Sequence, residues 1–484
     1  MNTSSNRAND APPEWVGDAV FYQIFPDRFA RSERVRKPGN LEPWDSPPTR
    51  HGYKGGDLLG IVERLDWLSD LGVNAIYLNP IFQSASNHRY HTQDYYRVDP
   101  LLGGNQALDE LIEEAHKRKM RVILDGVFNH ASRGFYQFND ILENGRESAW
   151  VDWFIVHDFP VNAYNEEEPP NYEAWWGLHA LPKLNTENPE VREFIWGVAE
   201  HWIERGADGW RLDVPGEITT PGFWEEFRER VKAKNPEAYL VGEFWGTDPH
   251  WTGAGGRFDG LMNYPLMSAI LRFVAAGRID FGLANTTCLD FQPIDAHGFE
   301  KEVRHILEVY PEATLRANLN LLGSHDLPRL LSLVGGHRSA VRLAAALLFT
   351  FPGAPCIYYG DEIGMTGGPD PGCRGAFPWE HESAWDHDLL ENFRSLVALR
   401  HREDALRLGD YRHFYADGGF YAFARQYEGD RLMVAINAGD GAAGYTTESP
   451  GTRAEALWGE GQAELVDGRV RVDLPARSAG VWRI

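Results

Sequence analysis

Cysteine is scarce in this chain of 484 residues: Cys288, Cys356 and Cys373 are the only three. An odd count at wide spacing argues against a disulfide framework and offers no metal-ligand pattern, so the three read as buried or inert thiols. Long apolar runs are missing too. The N-terminal stretch MNTSSNRANDAPPEW is polar and lacks the apolar core of a secretion signal. No uninterrupted apolar segment reaches the length that spans a bilayer, so a soluble, cytoplasmic protein with no membrane partner is expected. Positive charge is in deficit, with 47 Lys and Arg against 71 Asp and Glu, a formal net charge of −24. A phosphate backbone or an anionic lipid surface would be repelled on average, which argues against nucleic acid and acidic membranes as partners. Three common motifs are also lacking. There is no GxxxxGK[ST], the glycines of GAGG follow no dinucleotide fingerprint, and HESAWDH has the wrong spacing for a zinc-binding HExxH. Nucleotide-dependent and zinc-dependent chemistry are disfavoured, and neutral ligands remain.

What is present is a large apolar fraction, 43% of residues, enough to bury an extensive core. Eight short strand-like runs recur, at Ala19–Phe25, Asn74–Pro80, Arg121–Val127, Asp208–Val214, Tyr239–Trp245, Phe258–Tyr264, Ala317–Asp326 and Ala354–Glu362. Between them lie helical patterns such as LDELIEEAHKRK and PEVREFIWGVAEHWIERG, the second stopped by Gly206, a residue type that readily ends helices. Eight strand-then-helix units predict an α/β fold, a closed (β/α)8 TIM barrel rather than an open sheet. The gap between Val127 and Asp208 is far longer than one helix requires. Residues 131–184, rich in aromatics and turn formers, are read as a subdomain inserted after strand three, which leaves 1–130 and 185–400 for the barrel. Over 401–484, short alternating runs such as GGFYAFARQY and RLMVAINAG predict a C-terminal antiparallel β-sandwich.

Within DGWRLDVPGE, Arg211 and Asp213 lie two residues apart on a predicted strand. Both charges therefore share one face, opposite Trp210 and Leu212. In such a barrel the loops at the C-terminal ends of the strands build the active site. Those ends carry Asp125, Asn129 and His130 after strand three, Arg211 and Asp213 at strand four, Glu243 at strand five, and His325 and Asp326 after strand seven. Each alone has an ordinary explanation as an ion pair or a helix cap. Together they crowd the carboxylates Asp213, Glu243 and Asp326 at one mouth, where like charges raise one another's pKa and a fold selected for stability alone would avoid them. Cleavage of a glycosidic bond needs an ionised carboxylate as nucleophile and a protonated carboxyl as acid. Arg211 would hold Asp213 ionised, and the apolar neighbours of Glu243 in LVGEFWG would raise it toward a usable acid.

With AVFYQIFPDRF, DGVFNH, GWRLDVPGE, VGEFWG and LLGSHDLPRL in this order, nearly the whole chain resembles the α-amylase superfamily of glycoside hydrolases. LPKLN, Leu181–Asn185, is similar to the MPKLN signature of its neopullulanase, cyclomaltodextrinase and maltogenic amylase group, whereas the oligo-1,6-glucosidase group tends to show QPDLN. The resemblance implies Asp213 as nucleophile, Glu243 as general acid and base, and Asp326 as a carboxylate that binds ring hydroxyls and favours substrate distortion. It implies that His130 and His325 bind hydroxyls of the same sugar, that Tyr90 stacks beneath it, and that Trp245 and Glu217 face the leaving group, while Arg211, from its place on the strand, orients Asp213. Asp125 and Asn129 would support this geometry. His91 follows Tyr90 where relatives often have Asp. No cofactor is required. Calcium occurs in some relatives, but the loop after FPDRFARS lacks their Asn/Asp-rich pattern, and only the GGD of Gly55–Asp57 remains.

Members of the group usually begin with an extra β-sandwich that helps form a dimer. Here the barrel is expected to start almost at once, so a homodimer stays open. The implied activity is retaining hydrolysis of α-1,4 links in short or cyclic α-glucan oligosaccharides, cyclic maltosyl-maltose included, with transglycosylation alongside. A dedicated transglycosylase, an α-1,6-glucosidase and a non-catalytic sugar-binding protein stay open as alternatives. Tyr172, Trp175 and Trp176 of the insertion are expected either to narrow the site or to form the insertion's own small core.

Overall fold

The structure is a computed structural model that describes residues 11–253, 256–450 and 453–484. Eight parallel strands form one sheet: β1 (Phe21–Ile24), β2 (Ala75–Leu78), β3 (Arg121–Gly126), β4 (Gly209–Leu212), β5 (Tyr239–Gly242), β6 (Gly260–Leu261), β7 (Leu319–Leu321) and β8 (Ala354–Tyr358). Their order is β6-β5-β4-β3-β2-β1-β8-β7, and a parallel bridge between Met262 and Leu319 joins the two ends into a barrel. Every residue of β1, β2, β4 and β5 is buried. Burial on both faces is why these strands read as continuous apolar runs rather than alternating ones. Each strand is shorter than the run that predicted it. Of Ala317–Asp326 only Leu319–Leu321 stays in the ladder, because the residues beyond curve outward to build the barrel mouth.

The helix Pro189–Glu204 shows how local sequence sets a boundary. Asn188 accepts a hydrogen bond from the Glu190 N–H, Pro189 opens the first turn, and Gly206 follows the end at φ +111. Residues 131–184 hold a helix, Tyr136–Asn144, and isolated bridges that include Phe154 with Leu184 and Val156 with Tyr172. Phe138 lies 4.9 Å from the rings of both Phe154 and Tyr172, and the Tyr172 hydroxyl donates to the His179 carbonyl at 2.6 Å. Tyr172 thus belongs to the core of this segment. An antiparallel ribbon, Phe82–Ser84 with Thr92–Val98, follows β2. It lies inside what sequence periodicity presents as a plain strand-to-helix connection, and its loop carries Tyr90.

The C-terminal strands are β9 (Asp410–Asp417), β10 (Phe420–Tyr427), β11 (Asp430–Asn437), β12 (Ala443–Pro450), β13 (Glu455–Gly459), β14 (Gln462–Val466), β15 (Arg469–Leu474) and β16 (Ser478–Arg483). They make two antiparallel sheets, β9-β10-β11-β16-β13 and β12-β15-β14, with Phe420, Met433, Val472, Leu474 and Trp482 among the residues of a shared core. Cys356 and Cys373 are buried, but Cys288 is exposed. Of the two alternatives, buried or inert, exposure excludes the first for Cys288, which lies in a short loop of polar residues rather than in an apolar element. Among the described residues no helix is long and apolar enough to cross a membrane, and no group of three His, Cys, Asp or Glu is arranged to hold a metal ion. Asp57, the one acidic residue of the GGD remnant, is fully engaged. Its Oδ1 accepts the Gly60 N–H at 2.7 Å, and its Oδ2 accepts from the Ser32 N–H at 2.9 Å and from Lys37 Nζ at 2.7 Å. The Lys37 ammonium already supplies the positive charge that a cation would bring.

Glu362, just past β8, is fully buried and accepts from the Tyr22 hydroxyl and the Gly360 N–H at 2.9 Å each. Burial pushes its carboxyl up to about 8 from an ordinary 4.5. The folded state keeps a proton that the unfolded chain releases above its own lower pKa, so this group's contribution is fully present below about 4.5 and is lost as pH rises toward about 8. Glu362→Gln should therefore flatten the fall of the thermal midpoint between these pH values and leave the variant more stable than the wild type at pH ~9. Thermal unfolding at pH 5 and pH 9 checks this, and an unchanged slope would contradict it.

Candidate active site

The register of the barrel sets Asp125 of β3 beside Arg211 of β4, and Arg211 beside Val241 of β5. One residue past each strand the ladder continues: the Asp213 N–H donates to the Gly126 carbonyl at 3.1 Å, and the Glu243 N–H to the Leu212 carbonyl at 3.0 Å. Backbone pairing thus carries both acids to the same level of the mouth. Arg211 is fully buried and lies at the centre of the group. Its Nη1 donates to Asp125 Oδ1 and to Asp213 Oδ1, both at 3.0 Å, and its Nη2 lies 2.8 Å from Glu243 Oε1.

The carboxylates differ in what else they bind. Asp125 Oδ2 also accepts from the hydroxyls of Tyr77 at 2.8 Å and Tyr90 at 3.0 Å, so both its oxygens are committed. Glu243 Oε2 accepts the Val214 N–H at 3.1 Å. Among the described residues Asp213 has Arg211 as its only ion-pair partner, and its Oδ2 carries no protein donor. The acid with an uncommitted oxygen at the mouth is Asp213. Burial raises Asp213 well above the usual aspartate range and Asp125 to about 6, and it raises Glu243 as well. Arg211 opposes each rise, but one guanidinium is divided among three carboxylates. It does not hold Asp213 ionised alone, as the strand pattern suggested. The group titrates as a unit and retains a proton that its net negative charge favours.

On the other wall His325 is pushed well below the ordinary imidazole range, first by burial and then by Arg374 and Arg211. Its ring is therefore neutral, and the network selects the tautomer. Nδ1 lies 3.0 Å from Gln23 Nε2 and 3.1 Å from Asn79 Nδ2, both amide donors, so Nδ1 accepts. The proton sits on Nε2, which is 2.6 Å from the Tyr90 hydroxyl and 3.0 Å from Asp326 Oδ2. Tyr90 stacks on His325 at 5.3 Å between ring centroids. Asp326 is also held by Arg374, whose Nη2 donates to Oδ1 at 3.2 Å and whose Nε donates to the His325 carbonyl at 2.8 Å. Burial raises Asp326 and Arg374 opposes it.

His130 is buried, and its Nε2 and the Asn129 Oδ1 carry no protein partner. Burial lowers the His130 imidazole to about 3, so it too is neutral. Its ring stacks under Trp175 at 5.2 Å, and Trp175 under Trp176 at 4.4 Å, with Trp176 82% exposed. The insertion's aromatics therefore divide: Tyr172 into the core, Trp175 and Trp176 outward from His130. Trp245 stacks on Tyr264 at 4.1 Å. Glu217 is exposed and pairs with Lys183 at 3.2 Å.

The structure brings Asp213, Glu243, Asp326, Arg211, Tyr90 and His325 into one connected network, with His130, Trp245 and Glu217 around it. Gln23, Asn79, Arg374 and Val214 belong to the network and were not singled out from sequence. Gln23 and Asn79 had a readable signal, since each is a polar residue near the end of a buried barrel strand. Val214 had none: its φ of +35 is a left-handed conformation that a β-branched residue rarely takes and that costs of order 1–3 kcal/mol.

This geometry has counterparts in known proteins. The family model for the α-amylase catalytic domain matches residues 23–407. A cyclomaltodextrinase of Geobacillus thermopakistaniensis is 43% identical over 435 residues, which cover 89% of this chain and 70% of that one. The native form of the Nostoc punctiforme debranching enzyme is similar with a TM-score of 0.91 at 48% identity, over 98% of this chain and 100% of that one. The cyclic α-maltosyl-(1→6)-maltose hydrolase of Arthrobacter globiformis, in complex with that saccharide, is similar with a TM-score of 0.86 at 38% identity, over 98% and 100%. With the eight-stranded barrel and its carboxylates at the strand ends in place, the chain belongs to the α-amylase family of glycoside hydrolases.

Proposed function

We propose that this α-glucan hydrolase cleaves α-1,4 links of short or cyclic oligosaccharides with retention of configuration, and transfers glycosyl units to sugar acceptors as a side reaction. The observation that carries the reading is the Arg211 bridge, which holds Asp213 and Glu243 on one guanidinium and leaves one oxygen of Asp213 uncommitted. In the first displacement Asp213 Oδ2 attacks the anomeric carbon while Glu243, protonated within the cluster, gives its proton to the departing glycosidic oxygen. In the second, Glu243 takes a proton from water or from an acceptor hydroxyl, whose oxygen displaces Asp213 and restores the α configuration. Asp326, paired with Arg374, accepts hydrogen bonds from ring hydroxyls. The neutral His325 offers its Nε2 proton, and the unpartnered polar atoms of His130 and Asn129 suit a further hydroxyl. Trp245 and Glu217 line the leaving-group side. A cytoplasmic location belongs to the same reading, supported by the 38% identity over 434 residues to an intracellular maltogenic amylase of Bacillus subtilis.

LPKLN and the cyclomaltodextrinase at 43% identity support the preference for short and cyclic substrates. So does the ring stack that runs from His130 through Trp175 to the exposed Trp176, which in this reading narrows one side of the mouth. A second reading, cleavage of α-1,6 branches, is favoured by the debranching enzyme that matches over its full length. Comparing kcat/KM on cyclodextrins, maltotriose, panose, pullulan, cyclic maltosyl-maltose and soluble starch separates the two. Short and cyclic saccharides should exceed starch by about tenfold or more, which corresponds to a transition-state difference above roughly 1.4 kcal/mol. Equal efficiency on starch would mean an open cleft, and a preference for α-1,6 links alone would favour the second reading.

A further inference from the structure

Among the described residues seven non-glycine residues have positive φ, and Val214 is the only β-branched one. It also precedes Pro215, which narrows its backbone choice further. No local preference puts a valine at φ +35 and ψ 50, so the conformation is imposed by the contacts on either side. The preceding Asp213 N–H is held by the Gly126 carbonyl at 3.1 Å, and the Val214 carbonyl accepts the Glu217 N–H at 3.0 Å. Between these anchors the Val214 N–H is directed into the mouth and donates to Glu243 Oε2 at 3.1 Å. Glu243 is thereby gripped at both oxygens from one strand end, Oε1 by Arg211 and Oε2 by Val214, with Asp213 lying between the two in the chain.

We propose that Val214 is a positioning residue for Glu243: its left-handed backbone aims the N–H at the carboxyl and fixes it relative to Asp213, so a peptide unit rather than a flexible side chain sets the spacing of the two acids. The inference rests on the reading of Glu243 as the general acid and goes beyond it, since the valine side chain takes no chemical part. A backbone donor to Oε2 favours the ionised carboxylate and so tunes the pH at which the acid is lost. The other groups that act on Glu243 are Arg211 and Asp213 of the β4 end, Asp125 of β3, Asp326 beyond β7, the indole of Trp245, the tyrosines Tyr77 and Tyr264, and the Cys288 thiol. None of them changes in the test.

The test replaces the Val214 amide by an ester, through incorporation of 2-hydroxy-3-methylbutanoic acid into the full chain, which removes the N–H and keeps the side chain. The alkaline limb of kcat/KM should move up by about half a pH unit or more. Turnover of maltooligosaccharides should fall about tenfold, while α-glucosyl fluoride, whose leaving group needs little protonation, stays within about twofold. Val214→Gly is the control, because glycine adopts positive φ freely and retains the N–H; its alkaline limb should coincide with that of the wild type. An ester variant with an unmoved limb, or with equal losses on both substrates, overturns the proposal. So does a glycine variant whose limb shifts as far as that of the ester. Glu243→Gln run alongside separates the two levels: if that variant keeps the wild-type alkaline limb, the acid assignment fails and not merely the positioning.

Discussion

Asp213→Asn is expected to lower kcat/KM by about 10⁴-fold or more, the scale on which loss of a nucleophile is felt, with the barrel intact. Asparagine keeps an oxygen for the 3.0 Å bond from Arg211 Nη1, so the geometry around the guanidinium survives. It also removes one of the three carboxyl groups crowded on a single buried cation, and the relief of that crowding of charge should leave the thermal midpoint unchanged or raised. Steady-state kinetics with thermal unfolding of the same preparation measure both effects. Turnover within about tenfold of the wild type would remove Asp213 from the role of nucleophile. The same reading requires that the first product released by the wild type be the α-anomer, because two displacements restore the original face. Proton NMR during the first turnovers reports it, and an initial β-anomer excludes the two-step route.

Glu243→Gln is expected to act unevenly. Substrates with a sugar leaving group should lose about 10²- to 10⁴-fold, the usual contribution of general acid catalysis, whereas the glycosylation step of an activated aryl glycoside should lose much less. The alkaline limb of the pH profile should disappear. Its direction follows from the structure: burial, with Asp326 adding to it and Arg211 opposing it, raises Glu243 above the ordinary glutamate range. The protonated acid therefore persists to higher pH than a free glutamate would allow, and activity falls only as pH passes the raised value. Single-turnover glycosylation on both substrate types is the measurement. Equal losses on both would show that Glu243 does not donate the proton.

Much of this was legible in the chain because barrel topology links position in sequence to position in space. An apolar run long enough for one strand, repeated eight times with helices between, has few closed solutions, and the polar residues at the ends of those runs fall at one mouth. Asp213, Glu243 and Asp326 could be picked out for that reason, as could Arg211, which shares a strand face with Asp213. The ribbon after β2 was not legible. One of its strands has only three residues and the other, Thr92–Val98, buries residues without strict alternation, so its pattern merges with the connection around it, and Tyr90 came forward only through the family motif. Tyr172 shows the limit of composition: three aromatics within five residues look alike in sequence, yet one fills the insertion's core and two stand outside it.

The sequence by itself determined the fold class, the order of the carboxylates along the strands and the kind of chemistry they suit, since all three depend on residue type and spacing. Tertiary structure alone decided the electrostatics. That Arg211 serves three acids, that burial outweighs it at Asp213, and that Gln23, 302 residues from His325, selects the tautomer of that imidazole are facts about neighbours brought together from distant parts of the chain. Desolvation and hydrogen bonding act over a few ångströms whatever the distance along the chain, so no local pattern could have announced them. The left-handed turn at Val214 has the same origin: its own preferences oppose it, and only contacts with Gly126, Glu217 and Glu243 hold it in place.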